Sequence, residues 1–299
     1  MRPVFELRRL RLLHELSLRG TIGQVAAALS YSPSTVSQQL ARLEEEAGVA
    51  LLEPDGRRVR LTAHGRALAA HAARAIEEDE AIRAALRSTL QKEPTVRIAV
   101  MTTAAEALVP RTLTLLAERA PELRLHMTEL PPEQALFELT ARTFDLVVAE
   151  QYPGHVREHH EGIERTLLGR DPIRLALPPD DETLGLHDLR DRPWVLEPAG
   201  TAVREWAVQQ CRSAGFEPDV RYEATDLISH VRLIASGHAV GILPDLIWSG
   251  ESSRVSLREL PGHPDREVFA ATRISSRADL AVATVRTALA DALAEHRPR

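Results

Sequence analysis

Residues 21–46, TIGQVAAALSYSPSTVSQQLARLEEE, limit the possible folds of this chain more than any other stretch. They read as two helices joined by a tight turn. Thr21 is placed to cap the first helix, and Val25, Ala26 and Leu29 form its apolar stripe. Ser30-Tyr31-Ser32 is the turn. Ser32 is an N-cap candidate, and Pro33 suits the first helical position, where an N–H would be unpaired anyway. Val36, Leu40 and Leu43 recur at helical spacing and should face inward. Ser34, Thr35, Ser37, Gln38 and Arg42 are left on the other face, together with the capping Ser32. Such a face fits the major groove, where hydroxyls, amides and guanidinium groups read base edges and phosphates. The plainer reading is an amphipathic hairpin with a solvated polar face, and the flanking sequence decides between them.

Upstream, Phe5 to Leu18 reads as a helix that Gly20 ends. Downstream, Gly48 closes the second helix of the pair. Two short apolar strands then flank Pro54-Asp55-Gly56, a hairpin turn signal, within residues 49–61. This is a wing. Arg57, Arg58 and Arg60 lie at its tip and return strand, suited to phosphates or a minor groove. Thr62 should cap a long helix from Ala63 to Gln91. Leu68, Ala72, Ala75, Ile82 and Leu86 follow three- and four-residue steps along it, a seam suited to pairing two protomers. Packing on the helix's own chain is the alternative. Lys92-Glu93-Pro94 reads as a linker. Residues 1–92 carry a net charge of +3 and the rest −9, so the basic part is the part that would meet phosphates.

Taken together, these stretches resemble the N-terminal module of LysR-type transcriptional regulators. The resemblance is carried by Ile22 to Leu29, Val36-Ser37, the segment from Leu43 to Val49, and Val59-Arg60-Leu61-Thr62-Ala63-His64-Gly65. Many family members have Gln-Pro where this chain has Pro33-Ser34, an Arg where it has Gln38, and Phe-x-Arg where it has Leu52-Glu53-Pro54. These departures touch the base sequence read rather than the docking mode.

The remaining chain alternates strands and helices. Expected strands are Val96–Met101, Leu123–Leu130, Asp145–Ala149, Val220–Glu223, Ala239–Leu243 and Glu267–Ile274. Expected helices are Thr102 to about Arg119, Pro132–Arg142, Ala202–Ala214, Asp226–Ser236 and Ser276–Glu295. The chain is expected to cross out near Leu167-Leu168-Gly169, and a second unit to begin at Asp171. This alternation predicts two open α/β subdomains joined by two crossovers. It resembles the family's effector-binding domain, a periplasmic-binding-protein-like fold, with residues 234–244 similar to a recurrent piece of it.

The expected fold class is therefore α+β and multidomain. It comprises a winged helix-turn-helix over 1–62, a linker and dimerisation helix over 63–92, and an effector-binding domain over 93–299. Subdomain I is expected at about 95–168 and 267–295, and subdomain II at about 169–266. Ligands of open α/β folds sit beyond strand carboxyl ends, near helix N-termini. Those positions are Thr102, Thr103, Thr201 and Thr225, with the loop before Gly241 and Ile242 as a further wall. A small anion or polar metabolite is one expectation, and plain capping is the alternative for any single Thr.

Other constellations carry less. His155, His159 and His160 follow a turn signal at Tyr152-Pro153-Gly154, so a solvated loop is expected rather than a metal site. Cys211 is the only cysteine, which excludes an internal disulfide and suits a packed, inert role in a reducing compartment. No Gly-rich phosphate loop, Gly-x-Ser-x-Gly or His-Glu-x-x-His is present. No enzyme activity and no cofactor are expected. Arg8, Arg9 and Arg11 break up the early apolar runs, so no leader is expected, and no apolar stretch is long enough to span a bilayer. The resulting expectation is a cytoplasmic, sequence-specific regulator that binds an operator in double-stranded DNA. It would dimerise through its long helix, form a tetramer by family resemblance, and respond to a small-molecule effector. The alternatives are a regulator answering to a partner protein or to concentration, and a cytoplasmic solute-binding protein.

Overall fold

A computed structural model describes residues 5–56, 58–90, 93–155, 162–183, 185–248 and 253–296. The chain divides into two compact units, Met1–Gln91 with Ser275–Asp279, and Lys92–Ile274 with Leu280–Arg299.

The first unit contains α1 (Leu7–Arg19), α2 (Ile22–Ala28), α3 (Pro33–Ala47), β1 (Leu52–Asp55), β2 (Arg58–Leu61) and α4 (Ala63–Leu90). Its helix ends follow from local chemistry. Gly20 takes the left-handed conformation, φ 78°, and its N–H returns to the Leu16 carbonyl. The Thr21 hydroxyl accepts from the Gln24 N–H at 3.3 Å, and the Ser32 hydroxyl from the Thr35 N–H at 3.1 Å. Leu12, Leu13, Val25, Val36, Leu40, Leu43 and Leu51 close one apolar core. Arg9 ties α3 to α1, donating to Gln39 at 3.1 Å and pairing with Glu46.

Two details fix the wing. The Glu44 carboxylate accepts the N–H groups of Leu51 at 2.8 Å and Leu52 at 3.0 Å, so the first wing strand starts from the end of α3. Thr62 donates its hydroxyl to the Ala50 carbonyl at 2.8 Å and accepts the Gly65 N–H at 3.0 Å. Helix α4 therefore begins tight against the base of the wing. A Cβ on Gly65 would lie 2.1 Å from the Leu51 carbonyl oxygen, so only glycine fits there. In the antiparallel β1–β2 hairpin, Glu53 stands opposite Arg60 and Asp55 opposite Arg58.

The second unit runs β3 (Thr95–Val100), α5 (Thr102–Ala107), α6 (Val109–Arg119), β4 (Arg124–Glu129), α7 (Pro132–Thr140), β5 (Leu146–Gln151), β6 (Ile163–Leu177), β7 (Pro193–Leu196), α8 (Ala202–Ser213), β8 (Asp219–Glu223), α9 (Leu227–Ala235), β9 (Gly241–Pro244), β10 (Ser256–Glu259), β11 (Asp265–Arg273) and α10 (Leu280–Glu295). Strand order is β10-β6-β11-β5-β3-β4, with β9 also on β6. Strand β3 runs parallel to β4 and β5, and β11 is antiparallel to β5 and β6. A parallel pair, β7–β8, joins through a Trp194–Val240 bridge.

Two expectations change. Residues 102–119 were expected as one helix and form two, α5 and α6, meeting at Leu108. Pro110 cannot donate an N–H and starts a helix more readily than it continues one. The crossing near Gly169 is no break. Strand β6 is continuous for 15 residues, pairing first with β11 and then with β9 and β10. Gly169 lies within it because α10 packs close: a Cβ there would come within 2.7 Å of Leu293. Among the described residues, no helix is long and apolar enough to cross a membrane.

Candidate nucleic-acid interface and effector cleft

On α3, Ser32, Ser34, Ser37, Gln38 and Arg42 are exposed and Thr35 is half-buried. The hydroxyls of Ser34 and Thr35 each lie 2.8 Å from that of Ser32, so three hydroxyls gather at the helix start. Ser37 donates back to the Pro33 carbonyl at 3.0 Å. Gln38 and Arg42 extend the same face. On the wing, Arg58 is exposed, whereas Arg60 is ion-paired with Glu53 at 2.9 Å. Arg57 lies outside the described residues. Sequence reasoning missed Arg8, whose guanidinium sits 5.1 Å from the Tyr31 ring centre beside the inter-helix turn.

The seam on α4 divides. Ala72 is fully buried in the unit's own core, and Leu68 and Ala75 pack partly against it. Ile82 and Leu86 are 63% and 55% exposed. The first half of the helix is thus committed to its own chain, because small residues there admit α1 closely. Among the described residues, the large apolar side chains of α4 that point outward, Ile82 and Leu86, lie in its second half.

In the second unit, Thr102, Thr103, Thr201 and Thr225 line one cleft of about 560 Å³. Gly241 and Ile242 do not. They are buried in β9, paired to β6, and a Cβ on Gly241 would lie 3.3 Å from the Val195 carbonyl oxygen. The apolar run 239–243 is covered on both faces, so it offers no wall to a ligand. The threonines differ in what they do. Thr201 caps α8, accepting from the Arg204 N–H at 3.4 Å. Thr102 donates to Glu129 at 2.6 Å, and Thr103 accepts from Arg266 at 2.7 Å. Asp226, not Thr225, caps α9, accepting the Ile228 N–H at 2.9 Å.

The cleft's main feature went unread in the sequence. Glu106, Glu129, Glu133, Glu150, Glu197 and Asp226 all line it. Glu129, Glu150 and Glu197 each stand at or beside the carboxyl end of a strand, which was the available signal. Burial, reinforced by the charge of Glu150, pushes Glu197 up to about 7. Burial, with Glu129 and Asp226 nearby, raises Glu106. Arg266 is the only cation among the described lining residues, and it is buried and paired with Asp171 at 2.8 Å.

His155 falls among described residues, while His159 and His160 do not. Among the described residues no three His, Cys, Asp or Glu side chains are arranged to hold a metal ion. Cys211 is buried, and burial pushes its thiol up to about 12.

A winged helix-turn-helix and a cleft-bearing α/β domain in one chain define a DNA-binding regulator with a built-in ligand-binding module. The family comparisons carry this further. Residues 7–66 match the bacterial regulatory helix-turn-helix protein model of the lysR family, and residues 89–294 match the LysR substrate binding domain. The chain is 28% identical over 259 residues to the transcriptional dual regulator GltC of Bacillus subtilis, covering 85% of each. It is 30% identical over 239 residues to a probable hydrogen peroxide-inducible genes activator of Mycobacterium avium, covering 78% of this chain and 75% of that one. In fold it is similar to a full-length OxyR variant from Pseudomonas aeruginosa (TM-score 0.70, 21% identity, 96% of this chain and 95% of that one). Full-length CbnR in complex with its target DNA is another likeness (TM-score 0.54, 22% identity, 95% of this chain and 100% of that one). The chain belongs to the LysR family of bacterial regulators and is a DNA-binding transcriptional regulator with a substrate-binding domain.

Proposed function

We propose that α3 enters the major groove of an operator, that Arg58 fixes register on phosphates, and that a small molecule in the second unit's cleft modulates the complex. Ser34, Gln38 and Arg42 read base edges; Ser32, Thr35 and Ser37 shape and anchor the helix start. Arg57 and Arg60 add positive charge to the wing, with the Arg60 share reduced by Glu53. Ile82 and Leu86 join two protomers along the second half of α4, and two such dimers form a tetramer. Two-fold symmetry then matches a partly palindromic operator. The protein acts in the cytoplasm and performs no catalysis. The exposed Ser34–Gln38–Arg42 face, on a helix capped and clamped at both ends, is the observation that carries this reading.

Some relatives are named as hydrogen peroxide-inducible activators. Thiol oxidation requires a thiolate within reach of solvent. Cys211 is buried with its thiol pushed up to about 12, so we do not carry peroxide sensing at a thiol to this chain. Alanine substitution tests the DNA reading. Arg42→Ala should cost about 1–3 kcal/mol on specific DNA and little on random DNA. Equal losses on both would reassign Arg42 to the phosphates.

A further inference from the structure

We propose that the cleft takes an organic cation with two positive charges, a diamine or an amino-guanidine, held between carboxylates on opposite walls. This inference rests on the reading of the cleft as the effector site. One wall carries Glu106, Glu129, Glu133 and Glu150, from α5, β4, α7 and β5; the other carries Glu197 and Asp226, from the ends of β7 and α9. The charges act on each other across the gap. Beyond burial, which is the larger cause for both, Glu129 and Asp226 help to raise Glu106, and Glu150 and Glu133 help to raise Glu197 while Arg266 opposes them. Arg266 cannot neutralise them all, because its guanidinium is already committed to Asp171 and to the Thr103 hydroxyl.

Helix N-termini compete with this argument, since those of α5, α7, α8 and α9 all border the cleft. Each is worth about half a positive charge, so four offset roughly two charges, and Glu197, pushed up to about 7, carries only part of its own at neutral pH. The excess remains negative. An anionic ligand would add to that repulsion, whereas a cation relieves it and strengthens as water is excluded. The acids are spread along the walls rather than gathered around one point: among the described residues no three are arranged to hold a metal ion. Spread charge fits an extended dication better than a metal. Met101, Pro131 and Leu227 supply apolar surface for its carbon stem.

Full-length protein is heated with putrescine, agmatine, n-butylamine and succinate at constant ionic strength. A ligand that binds only the native state stabilises it by RT ln(1 + [L]/Kd), so the melting temperature climbs with the logarithm of ligand concentration above Kd. The expected result is a rise with putrescine or agmatine that grows with the logarithm of concentration, a smaller one with n-butylamine and none with succinate. Glu197→Gln and Glu106→Gln should each weaken the dication roughly tenfold or more. Glu122→Gln, at an exposed position, should leave it unchanged. A dication response that survives both cleft substitutions overturns the inference. Succinate binding that depends on Glu197, without dication binding, overturns the inference and leaves the effector cleft standing. Absence of any cleft-dependent binding overturns both.

Discussion

At Gly65 the start of α4 meets the Leu51 carbonyl so closely that a methyl group has nowhere to go. Gly65→Ala should cost about 1–3 kcal/mol, because backbone rather than a flexible side chain must shift. Chemical denaturation of the purified variant checks this, and an unchanged midpoint would contradict the clamp. Glu197 makes a second residue-scale prediction. Its ordinary value is 4.5 and its folded value about 7. The folded protein therefore holds a proton that the unfolded chain has lost between these two values. Stability from this group falls as pH rises from about 4.5 to 7, and the cost is complete above 7. Glu197→Gln removes the cost. Its melting temperature should match the parent near pH 4.5 and exceed it by a few degrees near pH 8, at about 2–4 °C per kcal/mol. A gain independent of pH would contradict the assignment.

Elements show how far a sequence can be read without a structure. Helices α2 and α3 and the wing were legible because each has its own local punctuation: Thr21, Ser32-Pro33, Gly48 and Gly56, although Pro54 and Asp55, read as turn residues, are paired in β1 with Val59 and Arg58. The division of α4 was not legible. Leu68, Ala72 and Ala75 share a period with Ile82 and Leu86, and only packing against α1 separates them. Ile82→Glu should accordingly leave the fold intact and shift the protein toward monomer in sedimentation. Unchanged mass would place the protomer contact elsewhere. The wing divides similarly. Arg58→Ala should lower the salt slope of DNA binding by about one, and Arg60→Ala by less, since Glu53 already offsets Arg60. Equal slopes would mean that the Glu53–Arg60 pair opens on DNA. The acidic cleft escaped sequence reading for another reason. Its six carboxylates come from six separate segments and gather only once β6 has joined the two halves of the sheet.

For the whole molecule, regulation requires that a ligand bind two states of the protein with unequal affinity. On the proposed reading the cleft takes the ligand and α3 the DNA, in a chain whose family joins a helix-turn-helix to a substrate-binding domain. The account depends first on specific recognition of DNA. The most direct measurement is binding of the full-length protein to the intergenic DNA upstream of its own gene, at two salt concentrations, with random DNA as competitor. The account predicts tight binding that survives the competitor, a footprint with two-fold symmetry, and an affinity reduced by Arg42→Ala. Binding there no tighter than to random DNA, erased by salt and indifferent to Arg42→Ala, would contradict it.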